Sequence, residues 1–165
     1  MKIPILPTST AAFCAIFLGL AAIEFSATLH ADTGLPLRVL FLGDDGHHRP
    51  ADRFKQLQPV LAKRGVELEY TEALADLNSA KLAGFDCLVG YANHPRIGPD
   101  QENAMLDFVA AGGGFVPLHC ASYCFLNSSK YIELVGAQFL RHGTGVFKET
   151  IVSPDHPVLK DVPAI

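Results

Sequence analysis

The stretch Leu37-Arg38-Val39-Leu40-Phe41-Leu42-Gly43-Asp44-Asp45-Gly46 decides the fold class. Its first six residues are almost continuously apolar, and the run then breaks abruptly into glycine and aspartate. A strand with one wet face alternates apolar and polar residues, whereas a strand covered on both faces does not. Residues 37–42 therefore read as a central parallel strand with a polar loop at its carboxyl end.

Downstream, residues 51–64 place Phe54, Leu57, Val60 and Leu61 at helical spacing and stop at Gly65, with Pro59 allowing a kink. Residues 66–70, 85–91 and 115–118 are three further strands, each bounded by polar or turn residues. Residues 100–111 (DQENAMLDFVAA) carry a helical stripe of Ala104, Leu106, Phe108 and Val109, and Gly112-Gly113-Gly114 stops it. Strands alternating with helices over such short connections predict right-handed crossovers. The expected fold is α/β: a three-layer, doubly wound, mostly parallel sheet, and if its strand order is the flavodoxin-like 2-1-3-4, the loops after the first and third strands flank the switch point.

Composition agrees with one globular domain: 165 residues, 49% hydrophobic and 18% charged. A net charge of −4 without any basic cluster argues against a nucleic-acid partner. The mean hydropathy of +0.24 is raised by the first residues. Lys2, the apolar run Ala11 to Ala22 and the small-residue site Leu29-His30-Ala31 read as a signal peptide over residues 1–31, giving a periplasmic or secreted protein. The run is shorter than the ~20 residues that span a bilayer, so no membrane partner is expected once the leader is removed. Downstream of the leader stand Cys87, Cys120 and Cys124, an odd number without the spacing of a disulfide framework.

In sheets of this type ligands bind beyond the carboxyl ends of the strands, where strand order reverses. Three loops leave strands there: Asp44, Asp45, His47 and His48 follow the first strand, Asn93, His94 and Arg96 the third, and His119, Cys120 and Ser122 the fourth. One imidazole near neutral pH can serve as general acid or base, or as a hydrogen-bond donor to a polyhydroxylated ligand, and His47 is the first choice for that role. Cys120 sits at a strand end, where a sharp turn can expose a nucleophile, although Leu118 and Ser122 stand where such an elbow usually has glycine. Cys124 reads as a core thiol. His142 lies in the glycine-bearing turn Arg141-His142-Gly143-Thr144-Gly145 at the border of the site, and His156 reads as a turn residue. Adjacent His47 and His48 do not easily reach one ion, and neither HExxH nor CxxC occurs, so no metal is assigned. The triple glycine precedes a strand and no Rossmann glycine fingerprint follows the first one, so no cofactor is identified.

The sequence resembles a ThuA-like (trehalose utilisation) domain of the class I glutamine amidotransferase-like superfamily. The resemblance runs from residue 37 to the end. Val39-Leu40-Phe41-Leu42-Gly43 leading into His47-His48, Phe85-Asp86-Cys87-Leu88-Val89, Gly143-Thr144-Gly145 and Asp155-His156-Pro157-Val158 contribute to it, and the block from Gly112 through Phe115-Val116-Pro117-Leu118 to His119 is its most specific part. It implies a flavodoxin-like sheet over residues 35–165 and a role in carbohydrate metabolism on trehalose or a keto-disaccharide. Relatives often carry a small residue where Cys120 stands, which favours His119 as the site residue. It also implies a domain C-terminally truncated in this chain, whose open sheet would favour association of copies.

The expected catalytic residues are His47, His119 and Cys120, and the expected substrate-binding residues are Asp45, His48, Asn93, His94 and His142. Two other functions stay open at this point: a cysteine hydrolase or amidotransferase-like enzyme using Cys120, and a carbohydrate-binding module without catalysis.

Overall fold

The computed structural model describes residues 34–160 apart from Phe147 and Glu149. The expected leader lies outside the described residues. Four parallel strands, β1 (Leu37–Leu42), β2 (Val66–Thr71), β3 (Cys87–Gly90) and β4 (Gly114–Pro117), form one sheet in the order β2-β1-β3-β4. Leu40 of β1 lies level with Glu69 of β2 and Leu88 of β3, and Leu88 is level with Phe115 of β4. The central position of β1 explains its apolar run from Val39 to Leu42, because all four residues are buried, two on each face.

Helix α1 (Pro50–Ala62) covers one face and begins with proline in its first turn, where the missing N–H has no helical partner to lose. Phe54 of α1 meets Phe41 edge-on, with ring centroids 6.0 Å apart, and Tyr70 closes the same aromatic group at 5.2 Å from Phe54. Pro59 is accommodated inside this helix. On the other face lie α2 (Ser79–Leu82), α3 (Pro99–Ala110) and α4 (Ser129–Val135). Leu40, Leu42 and Leu88 pack there with Leu77, Leu82, Met105, Phe125 and Tyr131 to form the main core. Helices on both faces of a parallel sheet make the three layers expected from the sequence.

Several boundaries differ from expectation. The third strand is Cys87–Gly90 rather than 85–91, because Phe85 turns into the core and Tyr91 begins the loop above the sheet. α3 stops at Ala110, and Gly112 takes the left-handed backbone (φ 99°) that ends it, after which Gly114 already belongs to β4. The short helices α2 and α4 are unanticipated. Both have a side-chain cap: Asn78 accepts from Lys81 N–H and Ser128 from Tyr131 N–H. Past α4 the described chain is irregular except for one 3-10 turn, Pro157–Leu159, whose first free N–H groups are met in part by His156 accepting from Val158.

On the α1 side, helix cover is confined to the β1–β2 half of the sheet. Leu37 and Val116 stay 45% and 43% exposed, and a wholly apolar groove of about 320 Å³ runs beside α1 between them.

Leu88 is 1% exposed at the centre of the main core. Leu88→Ala is expected to lower unfolding free energy by about 2–5 kcal/mol, read as a fall in the urea midpoint with an unchanged slope.

Candidate functional site

The carboxyl ends of β1, β3 and β4 converge, and their loops are tied to one another by defined hydrogen bonds. Asp44, 7% exposed, accepts from Gly46 N–H at 2.7 Å within its own loop and from the N–H of Asn93 in the loop after β3. The imidazole of His94 returns the link, its Nε2–H donating to the Gly43 carbonyl at 3.0 Å while the ring stacks on Phe125. Phe125 and Leu126 donate from the backbone to the carbonyls of His94 and Pro95, and the Asn127 amide pairs with both N–H and C=O of Ile97 at 2.9 Å. Gly43 has to be glycine for another reason: a Cβ there would overlap the Tyr70 ring.

Above these braces lies an open cleft of about 430 Å³, within the size range of small-molecule sites. His47 and His48 reach it from the first loop, Asn93 from the second, and His119, Cys120 and Ser122 from the third. Tyr123, Phe139 and His142 complete the wall. The last two are brought in by the Phe139 N–H, which donates to the Ser122 carbonyl at 2.9 Å. Three imidazoles crowd together: His47 and His48 have centroids 3.9 Å apart, and His119 stands edge-on to His48 at 4.6 Å. Tyr91 lies behind them, stacked on His119 at 6.0 Å. Burial, His47 and His119 push the His48 pKa below the ordinary value, in that order of weight, and Asp44 opposes them weakly.

The turn out of β4 decides which side chain is presented. His119 has φ 45°, a left-handed backbone uncommon for a residue with a side chain, and it opens a five-residue 3-10 helix, His119–Tyr123. His119 is exposed at this corner, while Cys120 turns inward and is 6% exposed. Burial pushes the Cys120 thiol up to about 11 and the Cys124 thiol up to about 12, away from the activated range of nucleophilic cysteines. Cys124 is a core residue, as expected.

Of the residues expected at the site, His47, His48, Asn93, His119, Cys120 and His142 line one cleft. Asp45 is exposed and outside its lining. His94 is likewise outside, because its Nε2–H is engaged with the β1 backbone. Tyr123 and Phe139 escaped the sequence reading. Among the described residues no group of three or more His, Cys, Asp or Glu is arranged to hold a metal ion, and no helix is long and apolar enough to cross a membrane.

The family model described as "ThuA: Trehalose utilisation" matches residues 38–165. Two solved structures are similar, both of ThuA-like proteins. One, from Bacteroides uniformis, has 18% identity and a TM-score of 0.61, with 79% of this chain and 57% of that chain covered. The other, from Parabacteroides merdae, has 16% identity and a TM-score of 0.50, with 58% and 37% covered. The chain thus spans little more than half the length of the first of these structures. No curated protein sequence matches it.

Two outcomes are expected. With Cys87 and Cys124 changed to Ser, Cys120 in the folded protein should alkylate at pH 8 roughly 10²-fold more slowly than after unfolding, since a thiol near 11 is almost wholly protonated there; equal rates would reopen the thiolate reading. In ring-detected NMR His48 should titrate below 6.5, and His47→Asn should raise its midpoint. The sign follows from linkage: His48 does not penalise folding above pH 6.5, and its penalty grows as pH falls from 6.5 to the lower native midpoint.

Proposed function

The chain belongs to the ThuA (trehalose utilisation) family, and from that premise we propose that it binds a sugar in the cleft above β1, β3 and β4 and acts on it through His119 and His47. The family itself suggests a role related to trehalose utilisation. The observation that carries the proposal is the meeting of His47, His48, His119 and His142 from three separate segments in one open cleft of about 430 Å³.

Two features support a sugar. Tyr123 and Phe139, edge to face at 5.9 Å, offer aromatic surface for the apolar side of a pyranose ring. Around them Asn93, Ser122 and the imidazoles supply donors and acceptors for hydroxyl groups. His119 and His47 are the exposed imidazoles of the trio, and imidazole is the side chain most often used as a general acid or base. In this reading His119, held outward by its left-handed backbone, acts as the general acid or base. His48 lies between its two neighbours and keeps them apart. Asn93 and His142 orient the ligand. Trehalose or a keto-disaccharide is the proposed substrate class, and the leader-like pattern over residues 1–31 supports a periplasmic or extracellular location.

The test is binding and turnover of a panel of trehalose, other disaccharides and their keto derivatives. His119→Ala is expected to lower turnover about 10²-fold or more, with His47→Ala also weakening binding or turnover. Unchanged values in both variants would dismiss the proposal.

A further inference from the structure

The cleft has a composition that a site for neutral sugars does not require: among the described residues four imidazoles line it and no carboxylate does. Sugar-handling sites that move protons commonly set two carboxyl groups across the ligand, and among the described residues no such pair lines this cleft. We propose that, within the sugar class named above, the ligand is an acidic derivative bearing a carboxylate or phosphate group, and that the anion sits against His47, His48 and His119. This rests on the carbohydrate reading above and names the substrate class of that site.

Geometry carries the argument. Three rings from two different loops lie with successive centroids 3.9 and 4.6 Å apart. A proton taken up by one of them therefore repels a proton on the next, and without a counter-ion the group holds less positive charge than three separate histidines would. An anion against two or more of the rings removes that opposition and adds charge-assisted hydrogen bonds, which are about twice as strong as neutral ones.

The charged and titratable neighbours leave the role unclaimed. Asp44, beneath the cluster, has its two carboxylate oxygens engaged with Gly46 N–H and Asn93 N–H. Asp45 is exposed and outside the lining. Arg49 is paired with Asp52 on the first turn of α1. The remaining titratable neighbours are Tyr91 behind His119 and His48, the buried Cys120 thiol, and His142 and Tyr123 on the opposite wall. His94 donates to the Gly43 carbonyl from outside the cleft. Binding an anion is thus coupled to proton uptake by the imidazoles, and affinity rises as pH falls from 8 to 6.

Calorimetric titration of the protein with glucuronate, glucose 6-phosphate, glucose and trehalose at pH 6 and pH 8 tests this. Glucuronate keeps a constant charge over that range, so its pH dependence reports the protein alone. Glucuronate or glucose 6-phosphate is expected to bind at least about tenfold tighter than glucose at pH 6, and glucuronate at least about fivefold tighter at pH 6 than at pH 8. Whichever of the two binds more tightly identifies carboxylate or phosphate as the group taken. His48→Gln, which takes the central ring of the three out of titration, should reduce the pH dependence. Should that variant not fold, ring NMR of the unchanged protein decides: glucuronate must raise the titration midpoints of the clustered histidines. Trehalose binding with no preference for either acid and no dependence on pH would overturn the inference and leave the sugar reading standing. Binding of none of the four sugars would overturn both.

Discussion

Asp44 stands where the strand order reverses. β1 runs between β2 and β3, so the loops after β1 and β3 part above the sheet and leave a crevice. A buried carboxylate bridges it by accepting from Gly46 N–H on one side and Asn93 N–H on the other. Burying a charge is unfavourable unless hydrogen bonds satisfy it, and here the donors belong to the backbone of the two loops that have to be held. Removal of the carboxylate would leave two inward N–H groups without acceptors, each worth about 1–3 kcal/mol when buried. The His94–Gly43 bond and the pairing of Asn127 with Ile97 extend the brace to the segment after β4. The separation of the imidazoles is thus set by the backbone beneath them.

That rigidity gives the histidine cluster its character. Imidazoles on flexible loops would drift apart on taking up protons. Rings held 3.9 and 4.6 Å apart instead add their mutual repulsion to burial, the larger cause, in lowering the His48 pKa. A neutral imidazole accepts at one nitrogen and donates at the other, so His48, its pKa lowered, has both functions available. The aromatic wall of Tyr123 and Phe139 adds apolar surface without adding charge.

The sheet was legible in the sequence because burial on both faces leaves an unmistakable mark. Residues 37–42 carry no polar alternation, and β1 is central. The cleft loops followed from strand polarity, which places every β1, β3 and β4 carboxyl end on one side. What escaped has a physical reason in each case. α2 and α4 contain four and seven residues, too few for helical periodicity to emerge, and are fixed by the caps Asn78 and Ser128 and by packing of Leu82 and Tyr131. His94 was grouped with the site by its strand-end position, but side-chain direction depends on an acceptor, the Gly43 carbonyl, that lies 51 residues away in sequence. Phe139 reaches the cleft through a backbone bond to Ser122, and nothing in the residues around it signals that approach.

The turn after β4 shows how one residue's backbone selects the chemistry a fold presents. A sharp strand-to-helix corner directs the residue at its apex outward and the next one inward. His119 occupies that apex with φ 45°, a conformation that costs of order 1–3 kcal/mol and persists only when the surroundings enforce it. The enforcing contacts are visible: the Leu118 N–H donates to the Gly90 carbonyl, Ala121 N–H to Leu118, and the Tyr131 hydroxyl to Ala121. With Ala121 1% exposed and its carbonyl engaged, the corner has no freedom to rotate Cys120 outward without breaking the core. A thiol held inside a low-dielectric environment keeps its proton, whereas the imidazole one residue earlier stands exposed at the corner. The backbone at the apex therefore presents an imidazole to the cleft and keeps the neighbouring thiol turned toward the core.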